Sequence, residues 1–137
     1  MEKNKRDLSE YNELLYCPYC NKEAVLASSK EIYNGQDYGL IWICRPCRAY
    51  VGCHRGTTKP LGRLANAELR DWKKRVHAVF DPLWKNGKMR RGEAYRKLAN
   101  MLKIKREYCH IGMFDVKMCE RVVNRFRAIQ GGDYGRD

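Results

Sequence analysis

Two periodicities divide this chain. Between residues 24 and 51 the apolar positions come in short runs: Ala24-Val25-Leu26-Ala27, then Leu40-Ile41-Trp42-Ile43, with Ile32-Tyr33 as a candidate for a further short strand. Asn34-Gly35 and Tyr38-Gly39 supply turn chemistry between them, so the stretch reads as a β-hairpin. Arg48-Ala49-Tyr50-Val51-Gly52 reads as one more strand, and Cys53 to Pro60 as a loop rich in glycine and hydroxyls. With His54 and two basic residues, that loop has the composition of a phosphate receptor or of a plain turn. Beyond residue 66 the spacing becomes helical. Leu69, Trp72, Val76, Val79 and Phe80 form one stripe of a helix over Ala67–Phe80, with Asn66 as its N-cap. Asp81-Pro82 interrupts it and fits an N-cap and first-turn pair for one further turn ending near Gly87.

A second helix follows Arg90-Arg91-Gly92, with Ala94, Tyr95, Leu98, Met101 and Leu102 inward. A third begins after Asp115, an N-cap, with Phe114 and Cys119 at the two positions of a hydrophobic staple. Its buried face is expected to hold Met118, Cys119, Val122, Val123, Phe126 and Ile129. Residues 131–137 read as a disordered tail. At the other end, Leu8, Tyr11, Leu14 and Leu15 permit a short amphipathic helix capped by Asp7 or Ser9. The expected divisions are 1–60, 61–130 and the tail.

Four cysteines frame the hairpin: Cys17-Pro18-Tyr19-Cys20 and Cys44-Arg45-Pro46-Cys47. A C-x-x-C turn points two thiolates inward at the bite of a tetrahedral metal, and two such turns close a four-sulfur shell. Against two disulfides or free thiols, the matched pairing favours one structural Zn²⁺. A closed shell leaves no coordination position for water or substrate, so the metal builds the fold and catalyses nothing. The fold class expected is α+β: an N-terminal zinc ribbon packed on a C-terminal bundle of about three helices.

Charge changes the picture of the helical half. The formal net charge of +12 divides as +2 over residues 1–60 (9 basic, 7 acidic) and +10 over residues 61–137 (19 basic, 9 acidic). Four thiolates on one Zn²⁺ contribute −2, which leaves the metallated ribbon near neutral. At 100° per residue, Arg70, Lys73, Lys74 and His77 fall along one flank of the first helix with no acidic residue among them. Lys117, Arg121 and Arg125, four apart, line the exposed side of the third. These stripes suit a polyanion, most often nucleic acid, or simply a solvated face. Tyr19, Tyr33, Tyr38, Trp42 and Tyr50 could stack unpaired bases where exposed, although the thin ribbon core is expected to claim Trp42 and some tyrosines.

Residues 16 to 126 resemble a family of small bacteriophage and prophage proteins, the zinc-finger-containing domain. The resemblance is carried by both cysteine knuckles, by Tyr50-Val51-Gly52-Cys53-His54-Arg55-Gly56-Thr57, by Pro60-Leu61-Gly62-Arg63-Leu64-Ala65-Asn66 and by His110-Ile111-Gly112-Met113-Phe114-Asp115. It implies a zinc-bearing protein of phage origin acting in a bacterial cytosol, and it brings no reaction and no ligand. The seven cysteines and the absence of an apolar leader agree with a reducing cytoplasm, and no apolar run approaches a membrane span.

Other chemistry has weaker carriers. Cys53-His54 and Cys109-His110 are adjacent pairs, but neighbouring side chains point apart and rarely share one ion. His54 could instead lie behind the first metal, and a histidine-based metal nuclease would draw on His54 or His110. His77 reads as a helix-flank residue and Cys119 as core. The carboxylates of the helical half are scattered without ligand spacing, so no enzyme and no small-molecule substrate are expected. The expectation is a non-enzymatic protein that binds nucleic acid through Arg70, Lys73, Lys74, Lys117, Arg121 and Arg125. The alternative is a module that docks on an acidic host or phage protein.

Overall fold

The computed structural model describes residues 14–135, with side chains as far as residue 129. The proposed N-terminal helix therefore lies outside the described residues, apart from its last positions. There Tyr16 pairs with Glu23 across the first knuckle instead of continuing a helix. The chain divides into two compact units between Ala67 and Glu68.

The first unit is a three-stranded antiparallel sheet in the order β1 (Val25–Ser28), β2 (Leu40–Cys44), β3 (Ala49–Gly52). Register pairs Leu26 with Trp42 and Trp42 with Val51, which puts these three on one face. The segment expected as a further strand, Ile32-Tyr33, is a turn. Ser28 caps a single 3-10 turn over Ser29–Glu31 through its hydroxyl. The N–H groups of Ile32 and Tyr33 then both donate to the Ser29 carbonyl, and Gly35 closes back on Lys30. Asn34 and Gly35 both adopt positive φ, which an extended strand forbids. A β-branched residue beside an aromatic resembles a strand locally, but here the backbone donors are already consumed.

The far edge of β3 is not bare. Tyr50 and Ala65 exchange both backbone hydrogen bonds, and Leu61 N–H donates to Gly52 O. The chain after the loop thus returns alongside β3 and covers its edge donors, a protection an exposed strand needs. Leu64 arrives with it and completes a small core of Cys17, Ala24, Cys44 and Ala49, backed by Leu15, Trp42 and Val51.

The second unit holds α1 (Ala67–Phe80), α2 (Pro82–Lys85), α3 (Arg91–Leu102) and α4 (Val116–Gly135), with single 3-10 turns at Arg106–Tyr108 and Ile111–Met113. The periodicity finds α1 to the residue, because at 100° per residue Leu69, Val76 and Phe80 fall within about 40° of one another and are buried on a single stripe, while Trp72 and Val79 flank it half-buried. Both α2 and α4 pack on α3, which buries Ala94, Tyr95, Leu98, Ala99 and Leu102. Met101, expected inward, is only half-buried.

Asp81 precedes Pro82 as expected, but its side chain does not cap α2. Its backbone is helical (φ −59°, ψ −33°) where a capping residue needs an extended one, and its carboxylate turns back to His77 instead. Asp115 does cap α4: Oδ1 accepts the Met118 N–H at 2.9 Å, while Phe114 and Cys119 are both buried. Replacing Asp115 with alanine should lower stability by about 1 kcal/mol, read as a lower urea midpoint of the helical signal. An unchanged midpoint would show that the cap contributes nothing. Cys119, Val122 and Val123 form the buried face of α4, whereas Phe126 is half-buried and Ile129, expected in the same row, is 47% exposed. The helix outlasts the core it packs on, and it continues to Gly135 through residues expected to be a disordered tail.

Candidate metal centre

Each cysteine pair sits on a knuckle whose backbone folds back on itself. In the first, Cys17 N–H donates to Lys22 O at 2.8 Å and Asn21 N–H to Cys17 O at 2.8 Å, while Tyr19 N–H points at the Cys17 sulfur at 3.4 Å. In the second, Arg48 N–H donates to Arg45 O at 3.1 Å. The residue after each second cysteine adopts a left-handed backbone, Asn21 at φ +64° and Arg48 at φ +53°. That reversal sends the chain away from the thiols and lets both face one point. Asparagine tolerates this conformation well and arginine less so, which is why the first knuckle shows the signal in sequence and the second hides it.

All four sulfurs of Cys17, Cys20, Cys44 and Cys47 lie within 4.8 Å of one another. The Cys20 and Cys44 sulfurs are 3.7 Å apart. A tetrahedral site with Zn–S bonds of about 2.3 Å requires sulfur pairs about 3.8 Å apart, so the cluster has the dimensions of a zinc shell. Cys17 and Cys44 are buried, with Cys20 and Cys47 half-buried beside them. Electrostatics agree. The Lys22 N–H donates to the Cys20 sulfur and lowers its pKa. Its neighbour Cys47 is pushed up to about 12, first by its hydrogen bond with Cys20 and then by burial. Four such thiols cannot all ionise together without a cation between them. The centre is one structural Zn²⁺ held by four cysteines.

No other group of three metal-ligating side chains occurs among the described residues. In the two Cys-His pairs the members diverge: Cys109 is fully buried with His110 exposed, and Cys53 is half-buried with His54 exposed. Burial raises the pKa of the Cys53 and Cys109 thiols and takes Cys119 up to about 11, which disfavours their thiolates. His77 Nδ1 lies 3.0 Å from Asp81 Oδ1 on the flank of α1.

The basic residues separate into two kinds. Lys73 donates from Nζ to the Gly112 carbonyl at 2.7 Å, and Arg121 reaches the Leu102 carbonyl at 2.6 Å. Lys73 ties α1 to the 3-10 turn at Ile111–Met113 and Arg121 ties α4 to the end of α3, which spacing along one helix could not reveal. Arg70 is half-buried. Lys74, Lys117 and Arg125 are exposed and take part in no ion pair among the described residues. The ribbon aromatics sort likewise. Trp42 is half-buried with Nε1 donating to Thr58 O at 2.7 Å, and the Tyr19 hydroxyl accepts the Asn66 N–H. Tyr33 and Tyr38 are exposed and meet edge to face at 5.1 Å. Among the described residues, no helix is long and apolar enough to cross a membrane.

Knuckle, sheet and knuckle around four convergent thiols define a zinc-ribbon protein. The family model of the zinc-finger-containing domain matches residues 13–129, and the chain belongs to that family. No curated protein and no solved structure matches it significantly.

Proposed function

We propose that this protein is non-enzymatic and binds nucleic acid through a basic face of its helical unit. The observation that carries the reading is the row Lys117, Arg121 and Arg125 along α4. All three are exposed, opposite the buried Cys119, Val122 and Val123, and no carboxylate pairs with them among the described ion pairs. Lys74 adds a further exposed cation on α1. Arg121 also donates to Leu102 O, so Lys117 and Arg125, two turns apart on either side of it, are the cations of this row left for phosphates, and each contact releases a counterion. The +10 balance of residues 61–137 supports the same reading. The closed zinc shell favours a scaffold over a reaction centre. Four metal-ligating cysteines and three others, with no disulfide among them, fit a reducing compartment, in keeping with the bacterial cytosol of a phage host that the family resemblance implies.

The test is a gel-shift or anisotropy titration with DNA and RNA across a salt series. Reversing Lys74, Lys117 and Arg125 to glutamate avoids the side chains that hold the fold. It should weaken binding by at least tenfold and flatten the dependence of log K on log salt by about 0.9 per lost phosphate contact on a duplex. Binding unchanged in the triple variant would remove the reading.

A second reading has its own observation. Leu26 and Leu40, on the same face of the sheet, are each 40% exposed, an apolar surface of the kind that protein partners cover. On that reading the module docks on an acidic host or phage protein. A partner recovered from host lysate that survives nuclease treatment favours docking, and one lost with nuclease favours nucleic acid.

A further inference from the structure

Away from the metal, the ribbon carries a cleft. Cys44 ends β2 at the zinc, and Leu40 begins it at the opposite end of the sheet, where two loops face each other. Asp37, Tyr38, Gly39 and Leu40 form one wall and Cys53 to Thr58 the other, enclosing about 850 Å³. That is ample for a small polar ligand.

Both walls are held from behind. Ser29, 1% exposed, accepts the Tyr38 N–H on its hydroxyl at 2.7 Å and donates its own N–H to Gly39 O. Tyr33 meets the Tyr38 ring edge-on at 85°, and the Tyr38 hydroxyl donates to Gln36 Oε1. The Tyr38 side chain is thus positioned by its neighbours yet 70% exposed. Opposite, Thr57 N–H and its hydroxyl both reach His54 O, and Trp42 Nε1 pins Thr58 to the sheet. Gly56 occupies the turn at φ +73°, a conformation that strains any other residue. This turn leaves the Arg55 and Gly56 N–H groups, the Arg55 guanidinium and the His54 imidazole without a hydrogen-bond partner among the described residues. Successive unpaired N–H groups beside a guanidinium form an anion receptor. Asp37 contributes the one carboxylate of the cleft, and its Oδ1 already accepts the Gly39 N–H.

An aromatic face on one wall and an anion receptor on the other match the two halves of a nucleotide. We propose that this cleft seats one nucleotide of a single-stranded nucleic acid, with its base stacked on Tyr38 and its phosphate on the Arg55–Gly56 turn. Asp37 accepts a hydrogen bond from a base amino group or a sugar hydroxyl. The inference rests on the nucleic-acid reading above and adds to it a second contact site, on the ribbon, that favours unpaired strands.

The experiment is an anisotropy titration of zinc-loaded full-length protein with labelled oligo(dT), oligo(U) and a DNA duplex. Tyr38→Ala should weaken single-strand binding about tenfold while duplex affinity and zinc content stay unchanged. Tyr38→Phe, which keeps the ring, should bind as wild type. Arg55→Ala should weaken single-strand binding and reduce its salt slope by about 0.7, the value for one lost phosphate contact. The relative loss on oligo(dT) and oligo(U) tells whether the sugar hydroxyl matters. Single-strand affinity unchanged in both alanine variants overturns the cleft, even where the helical charge reversals abolish duplex binding. Should wild-type protein bind no polymer, uridine monophosphate titrated by amide NMR separates the two ideas. Shifts at Tyr38 and Gly56 would keep the cleft while the helical reading falls, and no shifts would end both.

Discussion

Replacing Cys44 with serine is expected to release the zinc and unfold the ribbon. The reason is the size of what remains. One cluster of the ribbon core consists of Cys17, Ala24, Cys44, Ala49 and Leu64, with Leu15, Trp42 and Val51 partly buried against it, and the other buried apolar residues described in the unit are Ile41, Ile43 and Ala65. Two of the cluster's five buried residues are themselves ligands, and two more are alanines. So small a core cannot offset the conformational entropy of ordering three short strands and two knuckles. Structural zinc in comparable small sites supplies about 10–16 kcal/mol, which is folding free energy when the metal-free state is unfolded. A serine oxygen is a poorer zinc ligand than a thiolate and is too short to reach a position set for a sulfur bond of about 2.3 Å. Metal analysis should fall from one zinc per chain to well below one, and amide NMR should lose the dispersed signals of Ile41 to Ile43. The helices of the second unit have their own buried stripe and should persist in circular dichroism. Full zinc stoichiometry with an intact ribbon spectrum, in this variant or in Cys17→Ser, would contradict the site. Acid should act in the same direction. Zinc displaces the thiol protons, and Cys47 holds its proton up to about 12 in the metal-free cluster. Lower pH therefore favours the protonated, metal-free state, and a chelator competition should show zinc affinity rising with pH.

The metal site was legible because its signal is covalent and periodic: two C-x-x-C turns need no knowledge of the fold to be paired. The first helix was legible for a similar reason, since Leu69, Val76 and Phe80 mark a stripe and Asp81-Pro82 marks its end. Elsewhere local patterns were overruled by partners distant in sequence. Ile32-Tyr33 has strand composition, yet the Ser29 carbonyl takes both backbone donors and makes a turn. Pro60 to Ala65 has no strand pattern, yet Ala65 exchanges hydrogen bonds with Tyr50 across β3. Asp81 has the right position for a cap, and the pull of His77 and Lys85, at 3.0 and 3.9 Å, takes its carboxylate elsewhere. The basic stripes show the same limit. Helical spacing places Lys73 and Arg121 on the outside with Lys74 and Arg125, but only the fold shows that carbonyls of Gly112 and Leu102 receive them. A surface charge count read from sequence therefore overstates the cations free for a partner.

Phe80→Ala should be the most damaging single change in the helical unit. Phe80 is fully buried at the last turn of α1, and its ring meets Tyr95 of α3 at 4.8 Å and 60°, an edge-to-face contact. The change removes a large apolar side chain and leaves a cavity that rigid neighbours close only in part, a loss of about 3–5 kcal/mol. The lost ring pair accounts for about 0.5–1.5 kcal/mol within that figure. The consequence reaches the surface, because Tyr95 also carries the guanidinium groups of Arg91 and Arg106 over its ring, at 5.3 and 4.9 Å. With Phe80 gone, the face that orients Tyr95 is gone too, and both arginines lose a fixed seat. A domain with the usual 5–15 kcal/mol of stability would lose between about a fifth and all of it. Urea unfolding followed at the helical band should show the midpoint fall sharply, while Phe80→Leu, which keeps most of the volume, should cost under about 1.5 kcal/mol. Zinc content should stay at one per chain in both variants, since the metal is held by the other unit. A loss below about 1 kcal/mol for Phe80→Ala would mean that α1 and α3 do not share this core. Lost zinc in the same variant would mean instead that the ribbon depends on the helices for its fold.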